Sequence, residues 1–182
     1  RWMSSIVDCM HFTDTREYIS IFDSKCESMG DDGLGVHAVF FHITEIINSR
    51  TMIINEATNW TDPLDFSVGS TLEFTNQQQL FTILGNGTVA SLTFNATNSR
   101  KVTFTSPVSV NVVDWACVAN TPLLTIRNLT VANNRARGVL LETQNIDRKL
   151  SLFNRTSGPT VLIQSSMYWH EGPEARNLSL IE

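Results

Sequence analysis

Cations are scarce in this chain. Its 182 residues hold 13 Lys and Arg against 18 Asp and Glu, a formal net charge of −5 with only 17% charged residues. Nucleic-acid binding depends on clustered cations laid against phosphates, so nucleic acid is not expected as a partner. A basic helix lying on a membrane surface is excluded on the same ground. Long apolar runs are missing too: none approaches the roughly 18 residues of a membrane-spanning helix, and no membrane span is expected. Helical stripes are absent, since no window carries an i, i+3, i+4, i+7 apolar pattern beyond two turns. Cys9, Cys26 and Cys117 come without a Cys-x-x-Cys or a His-x-x-x-His spacing, so neither a metal nor another cofactor is expected. The chain opens Arg1-Trp2-Met3, without an initiator Met or a signal-like basic and apolar start. That pattern predicts a processed or cut beginning, and hence a fragment.

What is present is β-forming sequence. Hydrophobic residues make up 42% of the chain, and they fall in short Val/Ile/Leu/Phe/Thr runs, so the class is all-β. In the last third the runs recur at a regular spacing. Leu129 is echoed by Leu150, Val139 by Val161 and, after a longer interval, Leu150 by Leu178. The first two intervals give a period of roughly 22 residues, within the range of structural repeats. Two or three short strands per period suit a right-handed parallel β-helix, whose coils stack at about 4.8 Å. The longer third interval reads as a turn carrying an insertion. Gly33-Leu34-Gly35-Val36 resembles Gly138-Val139-Leu140-Leu141, which extends the rhythm to the N-terminal part. Between about 38 and 115 the strands alternate instead, as in Val108-Ser109-Val110-Asn111-Val112, and Asn86-Gly87 reads as a hairpin turn. The expected organisation is β-helix coils over 1–37, an inserted antiparallel barrel-like region over 38–115, and further coils over 116–182.

Six positions read Asn-x-Ser/Thr: Asn59, Asn86, Asn95, Asn128, Asn154 and Asn177. With 15 Asn and 37 Ser and Thr in the chain, composition alone would supply about three. The excess points to a secreted, glycosylated protein. Three cysteines leave at least one without a partner in the chain, and the apolar contexts of Cys9 and Cys26 favour buried thiols over a disulfide.

The chemistry gathers at carboxylates. Asp31 and Asp32 follow Asp8 by close to one coil, which places all three on one side of neighbouring coils. Gly30 and Gly33 would permit a bulge exposing both Asp31 and Asp32. Crowded anions repel, leaving a protonated acid beside an ionised base. Such a pair hydrolyses glycosidic bonds, with inversion when the carboxyls stand about 6.5–9.5 Å apart. Gly30-Asp31-Asp32-Gly33 is equally a solvated turn by composition. His11 and His37 can bind sugar hydroxyls, tune a carboxyl, or serve structure alone. Glu142, Trp169 and Glu171 are further substrate-binding candidates, with Trp169 offering an aromatic face to a sugar ring. Arg135 and Arg137 can pair with the carboxylates or stand in solvent.

These residues carry a resemblance. Asp8-Cys9-Met10-His11-Phe12 and Asp31-Asp32-Gly33-Leu34-Gly35-Val36-His37-Ala38 resemble the Asp-x-x-His-Phe and Asp-Asp-x-x-Asn-x-His-Gly motifs of the alpha-1,3-galactosidases of glycoside hydrolase family 110. Asn133 to Leu141, Gly158 to Ile163 and Tyr168 to Pro173 are also similar to that family. The resemblance implies an inverting exo-enzyme, built on a β-helix beside barrel material, that removes terminal α-linked galactose from glycans. It makes Asp8, Asp31 and Asp32 the catalytic candidates. By analogy with polygalacturonases, Asp31 would be the acid, and Asp8 and Asp32 would activate water. Gly35 stands where the motif has Asn and Ala38 where it has Gly, which removes an amide able to bond sugar or carboxylate. Two alternatives remain: a carbohydrate-binding or surface-interaction β-helix without turnover, and a pectin-type hydrolase. Neither the residues nor the resemblance fixes the oligomeric state.

Overall fold

The computed structural model describes residues 3–56, 66–76, 82–119, 121–143, 146–149, 152–165, 171–172, 176 and 178–181. The described residues form eighteen strands and no helix, so the all-β expectation holds. None of them belongs to a helix long and apolar enough to cross a membrane. The chain divides into two compact units. One comprises Arg1–Ala38, Thr121–Ser165 and Gly172–Glu182, the other Val39–Asn120 with Ser166–Glu171.

The first unit is built of short parallel strands. The chain opens with β1 (Met10–Thr13), β2 (Tyr18–Phe22), β3 (Lys25–Glu27) and β4 (Leu34–Val39). After the second unit's six strands it resumes with β11 (Leu123–Arg127), β12 (Thr130–Ala132) and β13 (Val139–Glu142). Then follow β14 (Ile146–Lys149), β15 (Leu152–Asn154), β16 (Val161–Ile163), β17 (Glu171–Gly172) and β18 (Leu178–Ile181). Three sheets result, ordered β1-β4-β13-β16, β18-β14-β11-β2 and β15-β12-β3. The chain visits them in turn, and each return lands beside the previous visit. Val139 pairs with Val161, Leu124 with Ile146 and Thr130 with Leu152, all by the same step along the chain. That step equals the interval read from the sequence. The step from Ile146 to its partner Leu178 is longer, as an inserted turn requires. Leu34 pairs with Val139, as the likeness of the two glycine-led segments suggests.

Alternation explains why these strands hold together. In β2 every second residue is buried, and the inward positions Ile19, Ile21, Leu34, Val36, Leu124, Ile126, Val131, Val139 and Leu141 form one core. The chain turns from one sheet to the next through residues in the left-handed region. Ser28, Asn133 and Arg155 (φ 64°, 57° and 57°) follow β3, β12 and β15, and Asp23 and Asn128 (φ 47° and 53°) follow β2 and β11. Asn128 Nδ2 donates to Asp23 Oδ1 at 2.8 Å, so one turn braces the next.

The second unit is a closed antiparallel barrel, in the order β10-β5-β6-β9-β8-β7. Its strands are β5 (Phe41–Asn48), β6 (Thr51–Glu56), β7 (Thr71–Thr75), β8 (Ile83–Ala96), β9 (Ser99–Phe104) and β10 (Trp115–Val118). Phe41, Ile43, Met52, Ile54, Leu72, Phe74, Val102 and Phe104 fill it. The expected hairpin at Asn86-Gly87 is overturned: both residues lie inside β8, and among the described residues the chain reverses at Ser49-Arg50 and at Thr97-Asn98. Gly87 serves packing instead, since a Cβ there would stand 2.8 Å from the side chains of Phe104 and Val108.

Candidate active site

Asp8 precedes β1 by two positions, and Asp32 precedes β4 by two. Because Met10 pairs with Leu34, the two aspartates occupy equivalent places on adjacent strands. Main-chain bonds fix that alignment: Cys9 N–H donates to Asp32 O at 3.0 Å and Met10 N–H to Gly33 O at 3.3 Å. Asp31, Asp32 and Asp8 each bring a carboxylate oxygen within 4.8 Å of the others. Asp31 is exposed, Asp8 partly buried and Asp32 buried. The expectation that a turn or bulge here exposes both aspartates therefore holds for Asp31 and fails for Asp32. Asp31 lies in a bend, which leaves its carboxylate exposed yet within reach of that of buried Asp32.

Asp32 is held by Arg137. The guanidinium donates from Nε to Oδ1 at 2.9 Å and from Nη2 to Oδ2 at 2.8 Å, and the Arg137 backbone N–H adds a bond to Oδ1 at 3.0 Å. Burial pushes the Asp32 carboxyl above its ordinary value of 3.8; the Arg137 hydrogen bonds and charge oppose that, and the Asp8 anion adds to it. Asn134, buried below this pair, was not singled out in the sequence. Its Oδ1 accepts from Met29 N–H at 3.3 Å, and its Nδ2 donates to the carbonyls of Asp31 and Arg137 at 3.4 and 3.3 Å. It ties the turn bearing the two aspartates to the turn bearing Arg137. Sequence offered one signal for it, its place in Asn133-Asn134-Arg135-Ala136-Arg137, and none for its partners. Arg135 turns to Met3 Sδ at 3.8 Å.

Asp8 has different partners. Its Oδ1 accepts from Asp32 N–H at 3.0 Å, and its Oδ2 lies 3.0 Å from His11 Nδ1. His11 Nε2 meets His37 Nε2 at 2.7 Å, and His37 Nδ1 donates to the Ala38 carbonyl at 3.2 Å. Thr13 Oγ1 stands 3.4 Å from His37 Nε2. Gly35 leaves room for this arrangement, because a Cβ there would lie 2.7 Å from Asp8 Oδ2. His11, Thr13, Gly35, His37 and Glu142 share the outer face of one sheet, since Met10, Phe12, Leu34, Val36, Val139 and Leu141 point into the core. Thr13, His37 and Glu142 are in register across β1, β4 and β13, and Glu142 is fully buried. The structure thus brings together Asp8, Asp31, Asp32, His11 and His37, with Glu142 beside His37.

Glu171 is partly buried at the start of β17 and falls with the barrel unit. Trp169 lies outside the described residues, as do Asn59 and Asn177. Asn86, Asn95, Asn128 and Asn154 are exposed. The preference for free thiols at Cys9 and Cys26 is overturned. The two form a disulfide with their Cα atoms 5.9 Å apart, while Cys117 is buried and takes no part. The bond fastens the residue after Asp8 to β3, a pairing that the separation of the two cysteines in sequence could not reveal by itself.

No family model matches the chain. The chain is distantly similar to alpha-1,3-galactosidases. It is 28% identical over 172 residues to alpha-1,3-galactosidase B of Akkermansia muciniphila, an alignment covering 90% of this chain and 21% of that protein. Against the protein of the same name from Phocaeicola vulgatus it is 25% identical over 202 residues, covering 98% and 32%. Against that of Bacteroides fragilis it is 23% identical over 199 residues, covering 99% and 33%. The chain therefore spans a fifth to a third of the length of the curated relatives it matches. What these similarities support is kinship with glycosidases, across most of this chain.

Proposed function

We propose that this chain carries the acidic centre of a secreted glycoside hydrolase that removes terminal α-linked galactose from glycans with inversion. The observation that carries the reading is the gathering of Asp8, Asp31 and Asp32 on two adjacent strands, in a chain similar to alpha-1,3-galactosidases. The roles follow from their surroundings. Arg137 occupies both oxygens of Asp32, which makes Asp32 a buried anchor and not the water-activating partner that the polygalacturonase analogy gave it. Asp8, oriented through Asp32 N–H and His11, takes the proton of the attacking water. Asp31, exposed and without an ion pair among the described residues, donates to the leaving oxygen. The carboxylate oxygens are closer together than the roughly 6.5–9.5 Å of a pair flanking a water in inverting enzymes. The water would accordingly sit against Asp8 on the outer face, not midway between acid and base.

The three sheets visited in turn, with their regular register, support reading the first unit as coils of a right-handed parallel β-helix. The disulfide and the exposed Asn-x-Ser/Thr sites support an oxidising, secretory route. The test is turnover. The protein should release galactose from a terminal α-galactoside and leave a β-galactoside and a galacturonide untouched. Asp31→Asn should slow release by at least about a hundredfold, the usual worth of a general acid. Binding of the α-galactoside without release, by folded protein, would mark a carbohydrate-binding module, and release of galacturonic acid would mark a pectin-type hydrolase.

A further inference from the structure

In the segment 28–33, between β3 and β4, every residue but Asp31 is bonded main chain to main chain. Ser28 N–H donates to Ala132 O at 2.9 Å, Met29 O accepts from Arg135 N–H at 3.2 Å, and Gly30 N–H donates to Ser5 O at 2.8 Å. Asp32 O accepts from Cys9 N–H at 3.0 Å, and Gly33 N–H donates to Arg137 O at 3.2 Å. Asp31 makes no such bond among the described residues. Its one hydrogen bond there comes from a side chain: Asn134 Nδ2 donates to the Asp31 carbonyl at 3.4 Å. The same Nδ2 donates to Arg137 O at 3.3 Å, and Oδ1 accepts from Met29 N–H at 3.3 Å. Two carbonyls and one N–H around a single amide fix which end of it is nitrogen. Asn134 is only 2% exposed, so this amide is turned wholly into the protein. Few side chains could replace it. Asp would offer only acceptors to the two carbonyls, and Leu would offer nothing.

We propose that Asn134 is the positioning residue of Asp31: it holds the bend that keeps this exposed carboxyl beside Asp8 and Asp32. It touches no sugar and moves no proton. Arg137 gives the arrangement its second anchor. Its carbonyl shares the Asn134 amide with the Asp31 carbonyl, while its guanidinium and backbone N–H hold the Asp32 carboxylate. The exposed acid and the buried aspartate are thus both referred to one buried group. Gly30 shows how closely the bend is fitted on its other side, since a Cβ there would stand 2.6 Å from the Ile6 carbonyl oxygen. The place of Asn134 in turnover rests on the glycosidase reading; its hold on Asp31 does not.

Two substrates separate the positioning of an acid from a general loss of structure. The leaving oxygen of an α-galactosyl disaccharide must be protonated as it departs, whereas α-galactosyl fluoride loses fluoride with little help from an acid. Asn134→Leu keeps the side-chain volume and removes the amide. It should slow galactose release from the disaccharide by about a hundredfold, the cost of a misplaced catalytic group, and leave release from the fluoride close to that of the unaltered protein. Asp31→Asn should show the same split. Backbone amide spectra establish that the variant is folded. If Asn134→Leu fails to fold, Asn134→Ser, whose shorter side chain falls short of the two carbonyls, decides alone. An equal loss on both substrates in a folded variant, or no loss on either, would overturn the proposal. Nitrogen-15 relaxation gives a reading independent of turnover: the Asp31 amide should move with larger amplitude in the variant while β3 and β4 keep theirs, and unchanged order at Asp31 would overturn the proposal as well. Loosening of Asp31 alone, in a protein that releases galactose from neither substrate even unaltered, would sink the glycosidase reading and leave the hold of Asn134 on Asp31 standing.

Discussion

Asp32 and Arg137 face each other across a long stretch of sequence, most of it spent on the barrel. A buried carboxylate survives there because the guanidinium fork matches its two oxygens and the backbone N–H adds a third donor. Removing one partner leaves the other uncompensated, so Asp32→Ala should destabilise the protein by about 3 kcal/mol in denaturant unfolding. The pH dependence has a definite sign. Burial raises the Asp32 carboxyl above 3.8 in the folded protein, so the folded state holds its proton more tightly than the unfolded chain does. Stability linked to that proton is therefore fully present below the ordinary carboxylate value and is lost as pH rises through the raised one. In Asp32→Asn this fall should disappear, and unfolding midpoints compared on either side of about pH 4 would show it. The sequence brought Asp8, Asp31 and Asp32 into view because all lie within one register step. It left Arg137 with two open alternatives, because nothing local tells which residue returns to the aspartates after an inserted unit.

At the level of strands and turns, spacing was the readable signal and packing was not. Val139 and Val161 stand one period apart in sequence and face each other in the sheet. Short parallel strands with one buried face can slip only at the cost of turning that face outward. Asn86-Gly87 misled because the glycine meets a demand for close approach beside Phe104 and Val108, not a demand for a turn. Cys9 and Cys26 misled for a similar reason: each looks like a small buried hydrophobe until the chain's return sets them 5.9 Å apart. With a sequence separation of 17 between the ends of the bridge, loop closure gives it about 3 kcal/mol. Cys9→Ala/Cys26→Ala should lower the unfolding free energy by that amount, and adding reductant to the natural protein should match it. The turns offer a prediction of opposite direction. Ser28, Asn133 and Arg155 occupy matching left-handed positions, which Asn tolerates better than Arg does. Arg155→Asn should therefore stabilise the protein by about 0.5 kcal/mol, seen as a higher denaturation midpoint at unchanged slope.

For the whole molecule, two architectures share one chain: parallel sheets visited in turn, and a closed antiparallel barrel entered between β4 and β11. The change from a long, regular period to simple alternation made the second architecture legible, since the two bury their apolar residues by different rules. Which face would meet a ligand was less legible. His11, His37 and Glu142 lie on the outer face of the first sheet because Met10, Leu34, Val36, Val139 and Leu141 claim the inner one. That conclusion needs the register as well as the residue types. The central claim is that this acidic face hydrolyses a terminal α-galactoside by a single displacement. Proton NMR of the first galactose released by the protein, recorded before the sugar equilibrates between its anomers, tests it most directly. The account predicts β-galactose as the first product, absent from the Asp31→Asn reaction; α-galactose as the first product, or unhindered release by that variant, would contradict it.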